Sequence, residues 1–357
     1  MSPDLRDIGL LAILAVVLVG PFLNKKVERN LEAFLGVMGV LAVTVAGSWG
    51  LHLVGEAASE PVIKGIVPAV LVAGLLFLVA RRQMDRTAEV LQRRVPIRAL
   101  VFALIFVLGL LSSVITAIIA ALVLVELVLL LPLTRAERVR VIVAACFAIG
   151  LGAALTPIGE PLSTIAIAKL KGEPYHAGFF FLFDKLAWYI LPGVAAFAAV
   201  GAFMVKGRSK EAAKEGEEEF SEGTTNGVQD AVIRAVKVYI FVAALIFLGS
   251  GFQRLIDKYL TDVGPQPLFW ANITSSILDN ATLTAAEIGP KLRLEQIQGA
   301  LMGLLVAGGM LIPGNIPNII SAHKLRIGSK EWAKVGIPLG LVAMVGYFVW
   351  LFYLPWP

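Results

Sequence analysis

"ITSSILDNATLTAAEIG", residues 273–289, places Ser275, Ser276, Asp279, Asn280, Thr282 and Thr284 in a chain whose other long stretches are built from Leu, Val, Ala and Ile. Polar side chains facing lipid are costly, so this stretch has to line water or protein. Lipid is the issue because of the rest of the chain. Of 357 residues, 58% are hydrophobic and 16% charged, and the mean hydropathy is +0.82. Several apolar runs approach the roughly 20 residues that cross a bilayer as a helix. The composition is that of an all-α integral membrane protein.

The first apolar run, Ile8 to Leu23, follows Asp4, Arg6 and Asp7 rather than a basic stretch. With no small-residue cleavage site after it, it is expected to be a retained helix and not a signal peptide. The single cysteine, Cys146, lies within an apolar run and excludes a disulfide framework or a cysteine metal site. The net charge of +5 points to membrane orientation and not to nucleic acid, because the basic residues cluster at helix ends. No zinc-binding histidine pair, Gly-x-Ser-x-Gly elbow or P-loop occurs, so neither an enzyme nor a cofactor is expected.

Charge sets the topology. Apolar runs at 8–23, 32–54 and 62–80 are separated by basic "NKKVERN" (24–30) and acidic "GEAASE" (55–60), and the last is followed by arginine-rich "RRQMDRTAEVLQRRVPIR" (81–98). The positive-inside rule puts 24–30 and 81–98 in the cytoplasm and both termini outside a bacterial-type inner membrane. The run 99–133 is too long for one span and short for two. It is broken by "SSVIT" (112–116) and flanked on both sides by basic segments, which predicts a re-entrant hairpin at 97–133 with Ser112, Ser113 and Thr116 at its tip. The Glu-, Lys- and Gly-rich stretch 206–229 reads as a cytoplasmic linker.

Either side of that linker the order recurs. "GLLSSVITAIIA" (109–120) is answered by "NITSSILDNATL" (272–283), and "TPIGEPLSTIAIAKLK" (156–171) by "IPGNIPNIISAHKLR" (312–326). We read scaffold helices in 1–61, a first repeat at 62–205 with its hairpin at 97–133 and a broken helix at 139–168, and a second repeat at 230–357. The second repeat has its hairpin at 267–290 and its broken helix at 295–325. The fold expected is about eight spanning helices plus two re-entrant hairpins in two inverted-topology repeats with discontinuous helices, the sequence pattern of a secondary transporter.

Proline and glycine at Pro157, Gly159, Pro161, Pro313, Gly314 and Pro317 free backbone groups that hydrocarbon cannot satisfy, so the breaks must line a polar cavity. Freed carbonyls together with hydroxyls and amides suit a cation such as Na⁺, and half-helix N-termini suit an anion. One expected ion site is Ser112, Ser113, Thr116, Thr156, Gly159 and Ser163. The other is Ser275, Ser276, Asn280, Thr282, Gly314, Asn315 and Asn318. Acids at membrane depth are functional candidates by default. Asp279 lies among hydroxyls and amides. Glu160 either binds the cation or proton or pairs with Lys169 or Lys171. Glu126, in "LVLVELVLLL", is either a proton carrier or an interhelical hydrogen-bond donor, and Glu287 reads as an outer-interface residue. The tryptophans, Trp332 among them, read as belt anchors.

At these residues the chain resembles the ion transporter superfamily. "SSILDNATLTAAEIG" (275–289) is similar to the Asp-Asn segment of NhaD-type sodium/proton antiporters, and "NKKVERNLEAFLGVMGVLAVTVAGSW" (24–49) is similar to a family of archaeal and bacterial cation-transporter-like proteins. The resemblance implies that Asp279 and Asn280 belong to the ion site. It further implies that a transport domain slides, elevator-fashion, on a homodimeric scaffold that includes residues 24–80. The first hairpin has Thr116 where the second has Asp279, and it lacks the Ser-Asn-Thr triplet of the related sodium/dicarboxylate carriers. Exchange of a monovalent cation, Na⁺ first, for H⁺ is therefore expected. Na⁺-coupled symport of a small anion is the alternative.

Overall fold

The structure, a computed structural model, describes residues 4–24, 26–27, 30–63, 67–68, 71–72, 95–206, 228–259, 263–278 and 280–354. Every regular element among these residues is helical. In chain order they are α1 (Leu5–Leu23), α2 (Leu31–Ala46), α3 (Leu51–Ile63), α4 (Ile97–Ile115), α5 (Ala117–Leu129), α6 (Arg135–Ala153), α7 (Pro161–Lys169), α8 (Phe181–Phe203) and α9 (Val228–Tyr259). There follow α10 (Pro265–Ala271), a 3₁₀ turn (Asn272–Ser276), α11 (Asn280–Glu287), α12 (Leu294–Gly308), a second 3₁₀ turn (Ile312–Gly314), α13 (Ile316–Lys324) and α14 (Ser329–Tyr353).

Among the described residues four helices are long and apolar enough to cross a bilayer: α4, α8, α9 through Ala235–Leu255, and α14. With 19 residues, α4 reaches about 28 Å at 1.5 Å per residue. It could cross by itself, although it was expected only as the first arm of a hairpin. Its partner α5, with 13 residues, is shorter.

The interior is organised by α6 and α12. Residues 141–156 and 299–312 are buried without exception, because "AACFAIGLGAA" (144–154) and "GALMGLLVAGG" (299–309) are small enough to be packed from all sides. Around α6 lie α4 and α8, around α12 lie α10 and α14, and α6 touches both α12 and α14 to join the groups. A further layer is formed by α9 packed along α2 and α3, with α1 on α2. It is riveted by Asp7, fully buried, which accepts from Arg254 Nε (3.1 Å), Tyr259 Oη (3.2 Å) and the Lys258 ammonium. Lys237 adds a 3.0 Å contact to Glu32.

Two sequence boundaries move. The run 32–54, expected as one span, ends at Ala46, where Gly47 takes a left-handed conformation (φ 72°) that caps α2. The acidic "GEAASE" expected as a loop is instead helical within α3, with His52 and Glu56 one turn apart at 3.5 Å. The described residues Val228–Tyr259 form one helix, α9, since no proline interrupts them. The missing side chain of Gly251 lets α2 close in, a Cβ there falling 2.5 Å from that of Ala42. Most of the third expected span, 62–80, and of the linker 206–229 lies outside the described residues.

The start of α6 gives a stability test. Thr134 and Glu137 form a reciprocal cap. The buried Glu137 carboxylate accepts from Thr134 N (3.1 Å), Thr134 Oγ1 (3.0 Å) and, across to the end of α8, Lys206 N (2.7 Å). Glu137 lies in the first turn of α6. Burial pushes its pKa up, but these donors and the charge of Arg140 outweigh burial and hold it below the ordinary value. A lowered folded pKa means stability fully present above about pH 4.3 and lost as pH falls through the lowered value. Glu137→Ala should cost about 1–3 kcal/mol at neutral pH, and the gap from the parent should narrow below about pH 4. Thermal unfolding of both proteins across pH checks this.

Candidate functional site

Both broken helices are present and their local geometry matches. Helix α6 ends at Ala153 and resumes as α7 at Pro161, and α12 ends at Gly308 and resumes as α13 at Ile316. The residue that caps each second half is extended: Glu160 has φ −156° and ψ 160°, and Asn315 has φ −153° and ψ 148°. Each cap is followed by a nine-residue helix. In both, a side chain of the new helix folds back on the broken end. Ser163 Oγ donates to Ala154 O (3.1 Å), and Asn318 Nδ2 donates to Gly308 O and Leu311 O (2.8 Å each). The carbonyls that proline and glycine set free are thus recaptured by side chains.

The preceding hairpins are tied to the broken helices in the same way. Ser112 Oγ lies 3.0 Å from Ile149 O, and Ser275 Oγ lies 3.1 Å from Leu304 O and against Asn280 Oδ1. Thr156 Oγ1 donates to Ser113 O, and Ser113 Oγ to Leu110 O (2.8 Å). At the first tip Thr116 has φ 75° and ψ 148°, a conformation rare for any residue with a side chain. Such strain concentrates at functional sites. Its neighbour Ala117 donates N–H to Gly159 O (2.8 Å), so the tip hangs on the first break.

These pieces meet at one cavity of about 300 Å³. It is walled by Thr116, Ala117 and Ile118 from the first hairpin, Pro157–Ile165 (Ser163 excepted) from the first break, Asn280 and Ala281 from the second hairpin, and Asn315 and Ile316 from the second break. The contacts that build it are exchanged between the halves, α7 packing on α11 and α13 on α5. Of the residues expected at an ion site, Thr116, Gly159, Glu160, Asn280 and Asn315 line the cavity. Ser112, Ser113, Thr156, Ser163, Ser275, Ser276, Gly314 and Asn318 are buried but do not line it. Most of these tie backbone together. Asp279 and the side chain of Thr282 lie outside the described residues.

The N-termini of α5, α7, α11 and α13 all reach this cavity. Their dipoles give it a positive lining, and Glu160, only 7% exposed, caps α7 there. Asn280 Nδ2 and Asn318 Oδ1 are buried with no hydrogen-bond partner among the described residues. Among the described residues no three His, Cys, Asp or Glu side chains come together, so the available oxygens are chiefly hydroxyl, amide and carbonyl. A larger cavity of about 580 Å³ shares Pro161, Ile165, Ala281 and Ile316 with the first and extends between α3 and α9, past His52, Glu56, Glu60 and Gln253.

Three features escaped the sequence. Lys324, grouped with a basic helix end, is 5% exposed and paired with Glu126 of α5. Its place at the ninth residue of α13, about 12 Å from the break, was the available signal. Trp332, expected as a belt anchor, is fully buried, and its Nε1 donates to Gly309 O (3.2 Å), a carbonyl freed at the second break. Glu287, read as an interface residue, is buried.

Glycine at the breaks is required by space. A Cβ on Gly159 would lie 2.0 Å from Ala153 O, and one on Gly314 would lie 2.5 Å from Gly308 O and 2.7 Å from Ser275 O. All three obstacles are backbone. Gly159→Ala should cost about 1–3 kcal/mol or more, whereas Gly172→Ala, where a Cβ meets nothing within 4 Å, should not. The pair of unfolding curves decides whether the tight turn is obligatory.

No curated protein matches the chain. A family model does, over residues 8–354, and its description is a protein of unknown function. The chain, with its two capped helix breaks and their shared cavity, belongs to that family, DUF1646.

Proposed function

We propose that this protein is a secondary active transporter that exchanges a monovalent cation, Na⁺ first, for H⁺. About eight spanning helices and two re-entrant hairpins in two inverted repeats would form it. The observation that carries the proposal is a cavity lined by both hairpins and both helix breaks. Matching dihedrals at Glu160 and Asn315, matching serine ties from each hairpin, and the crossed packing of α7 on α11 and α13 on α5 support the repeat. The breaks survive in an apolar body because they face this space.

In the proposed mechanism Na⁺ is held by neutral oxygens around Thr116, Asn280 and Asn315 with a carboxylate completing the charge. The carboxylate proposed for this role is that of Asp279, next to Asn280 in sequence, while Glu160 of the first break lines the cavity. A carboxylate that takes either Na⁺ or H⁺ couples the two fluxes by competition alone. The layer of α1–α3 and α9 is the candidate static scaffold, along which an elevator motion in a homodimer would move the cavity.

One observation favours a second possibility. Four helix N-termini at the cavity suit an anion, so Na⁺-coupled uptake of a small anion remains the alternative. Ligand-dependent stability separates them. A bound ion raises stability by RT ln(1 + [L]/Kd), about 2.7 kcal/mol at a hundredfold excess over Kd. Na⁺ by itself should raise the unfolding midpoint, K⁺ and choline should not, and Asn315→Leu should abolish the rise. A rise that appears only when an anion accompanies Na⁺ would give the alternative precedence.

A further inference from the structure

The end of α11 carries a second ionisable place, away from the cavity. Glu287 is 7% exposed, and neither Oε1 nor Oε2 has a hydrogen-bond partner among the described residues. The side chain beside it is Asn272, fully buried on the 3₁₀ turn of the same hairpin. Asn272 Nδ2 donates to Ala300 O (3.0 Å), which fixes the amide orientation and leaves Oδ1 without a donor. Among the described residues both carboxyl oxygens and Asn272 Oδ1 thus lack a partner in full hydrogen-bond geometry, and the Asn272 amide is the polar group that interacts with the carboxyl. That arrangement is expensive for a carboxylate, which loses its hydration to burial and has only a neutral amide beside it in return.

The other hairpin resolves the same problem differently. Its second arm also carries a buried acid, Glu126, and that acid has a resident cation in Lys324. Among the described residues Glu287 has no equivalent. The charged groups described on the helices packed against α11 are Lys169 on α7, Lys237, Arg254 and Lys258 on α9, and Glu295 on α12. Lys169 and Glu295 are exposed. Lys237 pairs with Glu32, Arg254 with Asp4 and Asp7, and Lys258 with Asp7.

We propose that Glu287 is a proton-binding site, held as the neutral acid with its O–H donating to Asn272 Oδ1. One added proton turns an acceptor into a donor and satisfies the carboxyl and the amide together. No bond other than O–H is made or broken, and the proton comes from water. A carboxyl that holds a proton at neutral pH and gives it up when its surroundings rehydrate is what a proton-coupled carrier needs. That use rests on the exchange reading; proton binding itself does not.

Infrared spectroscopy of the lipid-reconstituted protein at neutral pH tests it without transport. The parent should show the carbonyl band of a protonated carboxyl, and Glu287→Gln should lose it, whereas Glu126→Gln and Asp279→Asn should keep it. Asn272→Leu, which removes the acceptor, should shift the band to higher frequency. If Glu287→Gln does not fold, Glu287→Asp serves, moving the band in place of removing it. A parent spectrum without the band, or one that Glu287 substitutions leave unchanged, overturns the proposal. Proton flux measured on the same samples keeps the two questions apart: a band lost in Glu287→Gln with no flux in the parent retains the proton site and removes the exchange function.

Discussion

Lys324→Met should destabilise the protein by about 3–5 kcal/mol, the cost of removing one partner from a buried ion pair. Lys324 is 5% exposed and Glu126 is 8% exposed. Their contact joins α5, the second arm of the first hairpin, to α13, the second half of the second broken helix. Around Glu126 the wall is apolar, with Leu122, Val125 and Leu129 all buried. Removing the ammonium leaves a carboxylate there with no compensating charge, and Glu126→Gln leaves an ammonium in the same position. Either variant should lower the unfolding midpoint strongly.

The double variant Glu126→Leu/Lys324→Met should recover most of the loss, because replacing both partners removes the uncompensated charge and restores an apolar contact. The interaction energy of the cycle would then be large and of compensating sign. If Lys324→Met costs less than about 1 kcal/mol, as an exposed pair would, the pair does not hold the crossed contact between the halves.

How much of this was legible in the sequence depends on the range of the interaction. The breaks were, because proline and glycine act on their own backbone. The expected broken helices 139–168 and 295–325 correspond to α6–α7 and α12–α13 with ends displaced by a few residues at most. The polar tips were legible for the same local reason, and Thr116 and Asn280 both reach the cavity.

What failed needed tertiary information. Nothing in "LVLVELVLLL" says that Glu126 will meet Lys324, since that contact depends on how α13 lies across α5. The hydroxyls of Ser112, Ser163 and Ser275 read as ligands, yet each turns to a backbone carbonyl of a broken helix that the sequence does not show to be near. Trp332 near a helix end matched the belt pattern, but the helix end it belongs to is packed against the second break. The boundary at Gly47 was overrun because apolar composition continues through Leu51 to Val54 even though the backbone turns.

Asp279→Asn carries the second large effect. In the proposed mechanism a carboxylate beside Asn280 takes either Na⁺ or H⁺, and coupling arises because it cannot hold both. The amide keeps the shape and loses the charge, so it can neither release a proton nor neutralise a cation. Exchange should fall to background while the fold persists, since the change neither adds volume nor removes a hydrogen-bonding group. Thr116, at the matching place in the first hairpin, has no titratable group, so that hairpin cannot substitute.

The direct measurement is proton flux in proteoliposomes with an imposed pH gradient, adding Na⁺, Li⁺, K⁺ and Ca²⁺ in turn to the parent and to Asp279→Asn. Dissipation of the gradient by Na⁺ in the parent, with none in the variant, is the predicted result. Dissipation by no cation, or full exchange by Asp279→Asn, would contradict cation/proton exchange through this site.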